Sequence, residues 1–171
     1  MKIYLIGLPG SGKSYWARQL SAHYQLRLID LDAEIVKDTG RSINDIFINH
    51  GEQWFRQKEA DLLRQISQKY AQFIFSTGGG APCFHQNMKY INENGISIFI
   101  NRTPENIALR LLSKGFDKRP LLKDKRDTLV EELKNKLAER IIFYQQAHIV
   151  VEHDELKLQD FTIPIDNLQK K

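Results

Sequence analysis

The sequence predicts an α/β fold built on a parallel sheet, and three observations lead to that prediction. Short apolar runs alternate along the chain with longer segments of helical periodicity. Several of these runs are apolar throughout rather than at every second position, as expected of strands buried on both faces. The segments between the runs are long enough to cross over as helices between parallel strands.

The predicted strands follow one another at intervals along the whole chain. They are Lys2–Gly7, Arg27–Asp30, Phe73–Ser76, Ile96–Ile100 and His148–Glu152. No repeat, low-complexity tract or linker interrupts the alternation. Residues 1–171 are therefore expected to form a single domain.

Apolar stripes at helical spacing predict three helices. The first follows a glycine-rich loop, the second runs from about Glu52 to Tyr70, and the third from about Asp127 to Gln146. The stripes are interpreted as core packing rather than as cofactor contacts; they contain Trp16, Ala17, Leu20 and Tyr24, then Phe55, Leu62, Ile66 and Tyr70, then Val130, Leu133, Leu137, Ile141 and Tyr144. Beyond Asp154, where Pro164 interrupts the pattern, only a short or frayed helix is expected.

Composition narrows the classes of function. Of the 171 residues, 42% are hydrophobic and 27% charged, which is ordinary for a globular protein, and the longest apolar runs have only strand length. Cys83 is the only cysteine, and Met1-Lys2 leads directly into a strand, so a cytoplasmic protein without a signal peptide is expected. The net charge of +4 is spread along the chain, which favours small anionic ligands over nucleic acid.

Residues Gly7–Ser14 have the spacing of a phosphate-binding loop, G-x-x-x-x-G-K-[ST]. Glycines let backbone N–H groups turn inward around a polyphosphate, and the N-terminus of the following helix favours negative charge. Lys13 would reach the β- and γ-phosphates, and the Ser14 hydroxyl would ligate Mg²⁺. The alternative, a glycine-rich turn without a ligand, is disfavoured because strand, loop and helix occur in the order that the motif needs.

Two aspartates stand at the end of the second predicted strand, Asp30 and Asp32. If the strand continues, its period-2 alternation points both side chains towards the loop, where ligands of open parallel sheets bind. One carboxylate would hold Mg²⁺ through water and the other would accept a proton or hydrogen bonds from a hydroxyl. Alternatively, one of them caps the helix that begins near Ala33.

Three further segments are candidates for function. The successive glycines in Ser76–Pro82 would let a substrate lie against bare backbone, or they form a flexible turn. Arg56 has Glu52 four residues before it and Glu59 three after it, so it either makes surface ion pairs or is held by carboxylates to bind an anionic substrate. The basic stretch Lys114–Arg126 is either a solvated loop or a mobile lid that brings an arginine over ATP.

Less can be inferred for the remaining candidates. Arg140 lies beside the apolar stripe of its helix and would face the edge of a cleft. The five histidines do not cluster at metal-ligand spacing, and Cys83 is interpreted as an ordinary packed thiol.

Taken in order, these motifs make the chain resemble the shikimate kinase family along nearly its whole length. The phosphate-binding loop alone would indicate only a superfamily of nucleotide-binding proteins, whereas the ordered series is much more specific. The series consists of Gly7–Ser14, Ile29–Ile35, Gly40–Phe47, Gly51–Arg56 with Glu59, Thr77–Gly80, Arg119–Leu122, and Arg140 with Phe143 and Tyr144.

The resemblance implies a fold and an activity. The fold would be a five-stranded parallel sheet of order 2-3-1-4-5 flanked by helices, with a substrate-binding subdomain at about residues 31–62 and a mobile lid at about 112–125. The activity would be transfer of the ATP γ-phosphate to the 3-hydroxyl of shikimate, with Mg²⁺, on the route to chorismate and the aromatic amino acids. The resemblance also suggests a monomer with no nucleic-acid or membrane partner.

The resemblance further implies roles for individual residues. Asp32, Lys13 and Arg119 would act at the transferring phosphoryl group, with Asp32 as the candidate base. Shikimate would be bound by Asp32, Arg56, Gly78, Gly79, Gly80 and Arg140, with Phe47 and Phe55 on the apolar side. ATP would be bound by Gly10, Ser11, Gly12, Lys13, Ser14, Tyr15, Arg119 and Arg110, the last of these near adenine. Ser14 and Asp30 would belong to the Mg²⁺ site.

Three other classes of protein share some of these features. Another small P-loop kinase, for gluconate or a nucleoside monophosphate, has the loop and the lid but does not need the pair Arg56 and Arg140. A GTP-binding switch would carry an Asn-Lys-x-Asp motif, which this sequence lacks. An RNA-binding module is favoured only by the basic charge, since no basic strand rich in aromatic residues is visible.

Overall fold

A computed structural model describes residues 1–113, 122–152 and 155–170, with the backbone alone at 122–126. Its strands form one five-stranded sheet in which every neighbouring pair is parallel, in the order β2-β3-β1-β4-β5. The predicted fold class and strand order are therefore confirmed. The strands are β1 Lys2–Ile6, β2 Leu28–Asp30, β3 Phe73–Ser76, β4 Ile96–Ile100 and β5 Ile149–Val151.

The helices cover both faces of this sheet. They are α1 Lys13–Tyr24, α2 Leu31–Thr39, α3 Ile43–Lys69, α4 Asn87–Asn94, α5 Pro104–Ser113, α6 Leu122–Tyr144 and α7 Gln159–Gln169. Among the residues described, no helix combines the length and the apolar character needed to span a membrane. The predicted lid at about 112–125 lies mostly outside the described residues, and so does Arg119.

Two helices differ from their predictions. Helix α2 begins at Leu31, so the second strand ends at Asp30 and does not continue through Asp32. The final helix is longer than the short or frayed helix expected, because α7 continues through Pro164 for 11 residues. Burial of Phe161 and Ile165 against the sheet offsets the hydrogen bond that the proline removes.

Two apolar clusters lie on opposite faces of the sheet. In β1, Tyr4 and Ile6 belong to the cluster covered by α2 to α6, whereas Ile3 and Leu5 belong to the cluster covered by α1 and α7. All four side chains are fully buried, which explains why the central strand is apolar at every position. The edge strands are less buried, and Leu28 of β2 is partly exposed to solvent.

The sheet brings the chain's candidate functional residues to one edge. Strand β1 lies beside β4, and the connection after β1 runs towards β2 on one side while that after β4 runs towards β5 on the other, so a crevice for ligands opens at their carboxyl ends. The loop 7–12 follows β1, Asp30 ends β2, and the glycines at 78–80 follow β3. Helix α3 carries Arg56 and helix α6 carries Arg140, and both side chains lie near this edge.

Helix α3 is broken at Gly51, which has φ 77° and ψ 174°. That conformation is essentially restricted to glycine, although nothing lies within 4 Å of the position that a Cβ would take. The break separates a short helical segment, which starts at the Ser42 cap, from the long segment that carries Arg56.

We therefore predict that Gly51→Ala lowers the free energy of unfolding by about 1–3 kcal/mol through backbone strain alone. Urea denaturation measures this difference. The matched control is Gly40→Ala, which is equally uncrowded but has φ 65° and ψ 16°, a left-handed conformation that costs less for alanine. Equal losses in the two variants would contradict the assignment of strain to Gly51.

Candidate active site

Three glycines shape the phosphate-binding loop. Gly7, Gly10 and Gly12 have φ values of 137°, 82° and 104°, which L side chains rarely adopt. Gly12 is the N-cap of α1, and no side chain caps that helix. The first N–H groups of α1 are therefore available to an anion, as a polyphosphate site requires.

Lys13 is almost completely buried inside this loop. Its Nζ donates to the carbonyl oxygens of Gly7 at 3.0 Å and Leu8 at 2.8 Å, which leaves one of its three donors for a phosphate. Burial lowers the pKa of Lys13 to about 8, against the opposing influence of the carboxylates of Asp32 and Asp30. The lysine is thus desolvated and held in place before a nucleotide arrives.

Asp30 has two of the roles that the sequence left open. One of its oxygens, Oδ1, accepts from the N–H of Ala33 at 3.3 Å and so caps α2. The other, Oδ2, accepts from the Ser14 hydroxyl at 2.9 Å, and the Ser76 hydroxyl lies 3.2 Å from the same Ser14 oxygen. A carboxylate beside hydroxyl oxygens is a donor set of the kind that Mg²⁺ prefers.

Asp32 lies in the first turn of α2, not on a continuing strand as the sequence suggested. Burial first, and then the neighbouring Asp30, raise the pKa of Asp32, whereas Lys13 and Arg56 lower it. The carboxylate therefore lies between a cation of the phosphate loop and a cation of helix α3. It is placed to accept a hydrogen bond from a hydroxyl group bound there.

Arg56 is buried, so the surface ion pair considered from the sequence is excluded. Its Nη1 donates to Glu59 Oε2 at 2.8 Å, and its Nε and Nη2 donate to Glu52 Oε1 at 3.1 and 3.0 Å. The rings of Phe84 and Phe55 lie 4.6 and 5.1 Å from its guanidinium carbon. The guanidinium is thus fixed by carboxylates at its edges and by aromatic rings.

Glu59 is the buried partner of this arginine. Its side chain is fully shielded from solvent, and within the described part of the chain its Oε1 has no hydrogen-bond partner. Burial raises the pKa of Glu59 to about 7, although Arg56 opposes the rise. A carboxylate with an unused acceptor oxygen beside Arg56 makes this part of the site sensitive to protonation near neutral pH.

The glycines at 78–80 are needed because the protein's own groups approach the backbone there. A Cβ on Gly78 would lie 2.5 Å from Glu59 Oε1 and 3.0 Å from Asp32 Oδ1. A Cβ on Gly80 would lie 2.6 Å from Arg56 Nη2. The segment is therefore a packed wall of the site and not a flexible turn.

The same segment joins the two sides of the site. A Cβ on Gly79 would lie 2.6 Å from Pro9 Cδ, so the middle glycine packs against the phosphate-binding loop. The carbonyl oxygen of Gly79 accepts a hydrogen bond from the Tyr144 hydroxyl of α6. The three glycines that follow β3 thus lie between α6 and the phosphate-binding loop.

A cavity of about 620 Å³ opens beside Arg56, and Arg140 forms part of its wall. Cys83 also lines it, and burial raises the pKa of this thiol to about 11, so it remains protonated near neutral pH. Burial likewise raises the pKa of Tyr144, whose hydroxyl hydrogen-bonds Gly79. The lining residues are Glu52, Cys83, Phe84, Glu132, Asn135, Lys136, Glu139, Arg140 and Phe143.

A smaller cavity of about 180 Å³ lies on the outer side of the phosphate-binding loop. Its wall includes Arg110 of α5, whose Nη1 would lie 3.3 Å from a Cβ on Gly12. The remaining lining residues are Gly10, Gly12, Lys13, Ser14, Tyr15 and Leu111. Arg110, for which only the resemblance implied a contact with ATP, is therefore close to the start of α1.

Two contacts in this site, made by Phe84 and by the Tyr144 hydroxyl, were not recognised from the sequence. Phe84 lies over Arg56, but it follows a short 3-10 helix, Ala81–Cys83, and nothing in its neighbourhood signals a contact with α3. Tyr144 was assigned to the core stripe of α6, and the structure shows that its hydroxyl also holds the Gly79 carbonyl. A buried tyrosine hydroxyl usually finds a partner, which is the one available signal for the second contact.

The fold and the site define a class of protein. A parallel sheet of order 2-3-1-4-5, with a phosphate-binding loop after its central strand and a separate pocket walled in part by Arg140, is the arrangement of a small P-loop kinase. The family model for shikimate kinase matches residues 9–168. The chain belongs to the shikimate kinase family, and its activity is that of a shikimate kinase, an ATP-dependent enzyme of aromatic biosynthesis.

Individual relatives agree with this assignment over nearly the full chain. The shikimate kinase of Azobacteroides pseudotrichonymphae genomovar. CFP2 is 37% identical over 174 residues, which cover 99% of this chain and 98% of the relative. The crystal structure of shikimate kinase from Bacteroides thetaiotaomicron matches with a TM-score of 0.83 and 31% identity, covering 99% of this chain and 97% of that chain. The shikimate kinase from Acinetobacter baumannii, solved in complex with shikimate, matches with a TM-score of 0.78 and 30% identity, covering 99% and 91%.

The crowding at Gly80 leads to a prediction for catalysis. In Gly80→Ala, the new methyl group forces the Arg56 guanidinium out of its place between Glu59 and Glu52. We expect the KM for shikimate to rise at least about tenfold, a change of about 1.4 kcal/mol, with little change in the KM for ATP. Steady-state kinetics with each substrate varied in turn measures both values, and a selective rise in the KM for ATP would contradict the prediction.

The lowered pKa of Lys13 leads to a prediction about proton uptake. In the free enzyme the pKa of Lys13 is about 8, and bound phosphates raise it because they favour the charged ammonium. ADP binding at a pH about one unit above that value should therefore take up a proton, up to about one per site. Isothermal titration calorimetry in buffers of different ionisation enthalpy measures the uptake.

The same titration at a pH well below the pKa of Lys13 serves as the control. There the lysine is already charged in the free enzyme, so no uptake by Lys13 is expected. The variant Lys13→Met should show no uptake at the higher pH either. Undiminished uptake in that variant would assign the proton to another group.

Proposed function

We propose that this site divides the shikimate kinase reaction between a donor half and an acceptor half. The phosphate-binding loop forms the donor half, and Asp32, Arg56 and Arg140 belong to the acceptor half. The contact of Gly79 with Pro9 supports this division most directly, because it brings the acceptor wall against the loop. The two substrates would then meet at the carboxyl end of β1.

The acceptor half is proposed to bind shikimate through its carboxylate. Two guanidinium groups from different helices, Arg56 of α3 and Arg140 of α6, can hold a planar carboxylate with paired hydrogen bonds. The shikimate complex of the Acinetobacter baumannii relative shows that a protein of this family binds shikimate and supports the same assignment here. Phe47 and Phe55, whose ring centroids are 4.6 Å apart, would line the apolar side.

The chemical step is proposed to use Asp32 as the group that receives the hydroxyl proton. The 3-hydroxyl oxygen attacks the γ-phosphorus of ATP, the bond from that phosphorus to the bridging oxygen breaks, and the proton passes to Asp32. Its raised pKa favours this transfer, and Lys13 neutralises charge on the transferring group. Arg119, which lies outside the described residues, is proposed to do the same from the lid.

The donor half is proposed to hold ATP with Mg²⁺. Ser14 and Asp30 are the residues that would hold the metal, which neutralises phosphate charge when it is bound. The glycines and Ser11 of the loop, with Tyr15, would bind the phosphates, and Arg110 would contact the nucleotide beyond them. A lid at about 112–125 and a shikimate-binding subdomain at about 31–62 complete the proposal, with the protein acting as a cytoplasmic monomer.

ADP release in the presence of ATP, Mg²⁺ and shikimate tests the proposed function. Release should depend on shikimate and should not occur with gluconate, AMP or CMP as acceptors. In Asp32→Asn we expect unchanged ATP binding and loss of most of the turnover, at least about a hundredfold in kcat, because the proton acceptor is removed.

The controls separate the residue roles from the activity itself. If ATP binding is lost together with turnover, Asp32 serves the metal or the fold and not the hydroxyl. If Asp32→Asn turns over normally, the proton-accepting role is excluded even though the enzyme remains a shikimate kinase. The control variant is Glu93→Gln, because Glu93 is an exposed partner of Lys89 on α4. It should change neither ATP binding nor turnover.

A further inference from the structure

One edge of Arg56 is already occupied by Glu52, a carboxylate that lines the cavity. Glu52 Oε1 accepts from both Nε and Nη2 of Arg56, at 3.1 and 3.0 Å, while Glu59 takes Nη1. A paired contact on one edge is also the way in which an arginine binds the carboxylate of a substrate. Glu52 therefore occupies the hydrogen-bonding positions that an anionic acceptor would need.

The two carboxylates that contact Arg56 differ sharply in burial. The side chain of Glu59 is 0% exposed and cannot leave the arginine without carrying a charge through the core. The side chain of Glu52 is 57% exposed and forms part of the cavity wall. Glu52 can therefore turn into solvent and regain its hydration, so only this carboxylate is free to be replaced.

The local backbone and the second arginine are consistent with such a replacement. Glu52 directly follows the break at Gly51, so one helical turn links it to Arg56 while the chain before it takes a different direction. In contrast to Arg56, Arg140 has no carboxylate within ion-pair distance in the described part of the chain. Arg140 thus lines the cavity beside the Tyr144 hydroxyl, whereas Arg56 is covered by Glu52.

We propose that Glu52 is an exchangeable carboxylate that covers Arg56 in the free enzyme and is displaced by the carboxylate of shikimate. The inference rests on the proposed role of Arg56 in binding shikimate. The exchange makes Glu52 a specificity-determining residue: an acceptor with a carboxylate replaces its charge, whereas an uncharged acceptor leaves it beside the arginine. Because shikimate must first displace Glu52 from Arg56, this ion pair weakens shikimate binding. It does not alter the transfer step.

Glu52→Gln tests the exchange because glutamine keeps the shape and loses the charge. We expect the Kd and the KM for shikimate to fall by up to about fivefold, the upper limit for removal of a partly exposed competing ion pair, with kcat and the KM for ATP unchanged. Asp61→Asn is the matched control, since Asp61 is an exposed carboxylate on the same helix that contacts Gln57. It should leave every constant unchanged.

A residue that merely orients Arg56 would give the opposite result. In that case Glu52→Gln would raise the KM for shikimate, and either a rise or an unchanged value overturns the proposal. The methyl ester of shikimate adds a second readout, because it lacks the charge needed for the exchange. Its KM should not improve in Glu52→Gln, and an equal improvement for the ester would show that Glu52 acts by occupying space.

Titration of shikimate into Arg56→Ala distinguishes this inference from the proposed function. If Arg56→Ala binds shikimate as tightly as the wild-type enzyme does, the proposed role of Arg56 fails. If Arg56→Ala binds shikimate more weakly but Glu52→Gln does not bind it more tightly, only the exchange fails. If Arg56 binds shikimate and Glu52 competes for it, the double variant Glu52→Gln with Arg56→Ala should bind shikimate no more tightly than Arg56→Ala alone.

Discussion

The buried contact between Arg56 and Glu59 is the interaction on which the wall formed by α3 and the glycines at 78–80 depends. Two charges removed from water are costly unless they are paired and hydrogen-bonded, and here the pair also fixes the guanidinium between aromatic rings. The glycines at 78 and 80 are required because these side chains approach the backbone closely. The same pair therefore explains why an arginine and a glutamate stand three residues apart on α3, and why the segment that faces them consists of glycines.

The charges of the site form an alternating series from the phosphate-binding loop to helix α3. Lys13 lies near Asp30 and Asp32, and Asp32 also interacts with Arg56, which is paired with Glu59. Burial shifts the pKa values of Lys13, Asp32 and Glu59 towards their uncharged forms, and the neighbouring opposite charges oppose these shifts. Such a desolvated and preorganised arrangement favours a reaction in which charge moves between phosphoryl and hydroxyl groups.

Local patterns in the sequence were sufficient for the fold class and the phosphate-binding loop, whereas the strand order came from the family resemblance. The loop is predictable because its function depends on the backbone conformation of consecutive residues, which the glycine spacing records directly. Asp32 lies near the end of β2 as predicted, but the strand alternation considered for it does not apply, since α2 begins at Leu31. Phe84 and the hydroxyl contact of Tyr144 left no local pattern, because their partners are distant in the sequence.

The sequence by itself determined the class of protein, the phosphate-binding loop and the set of charged residues that lie around it. Only the tertiary structure decided whether Arg56 lies in solvent or in the core, because Glu52 and Glu59 have the same helical spacing in either case. It also decided that Glu59 is sealed off while Glu52 stays exposed at the cavity. Burial is a property of packing between distant segments, and no spacing along one helix encodes it.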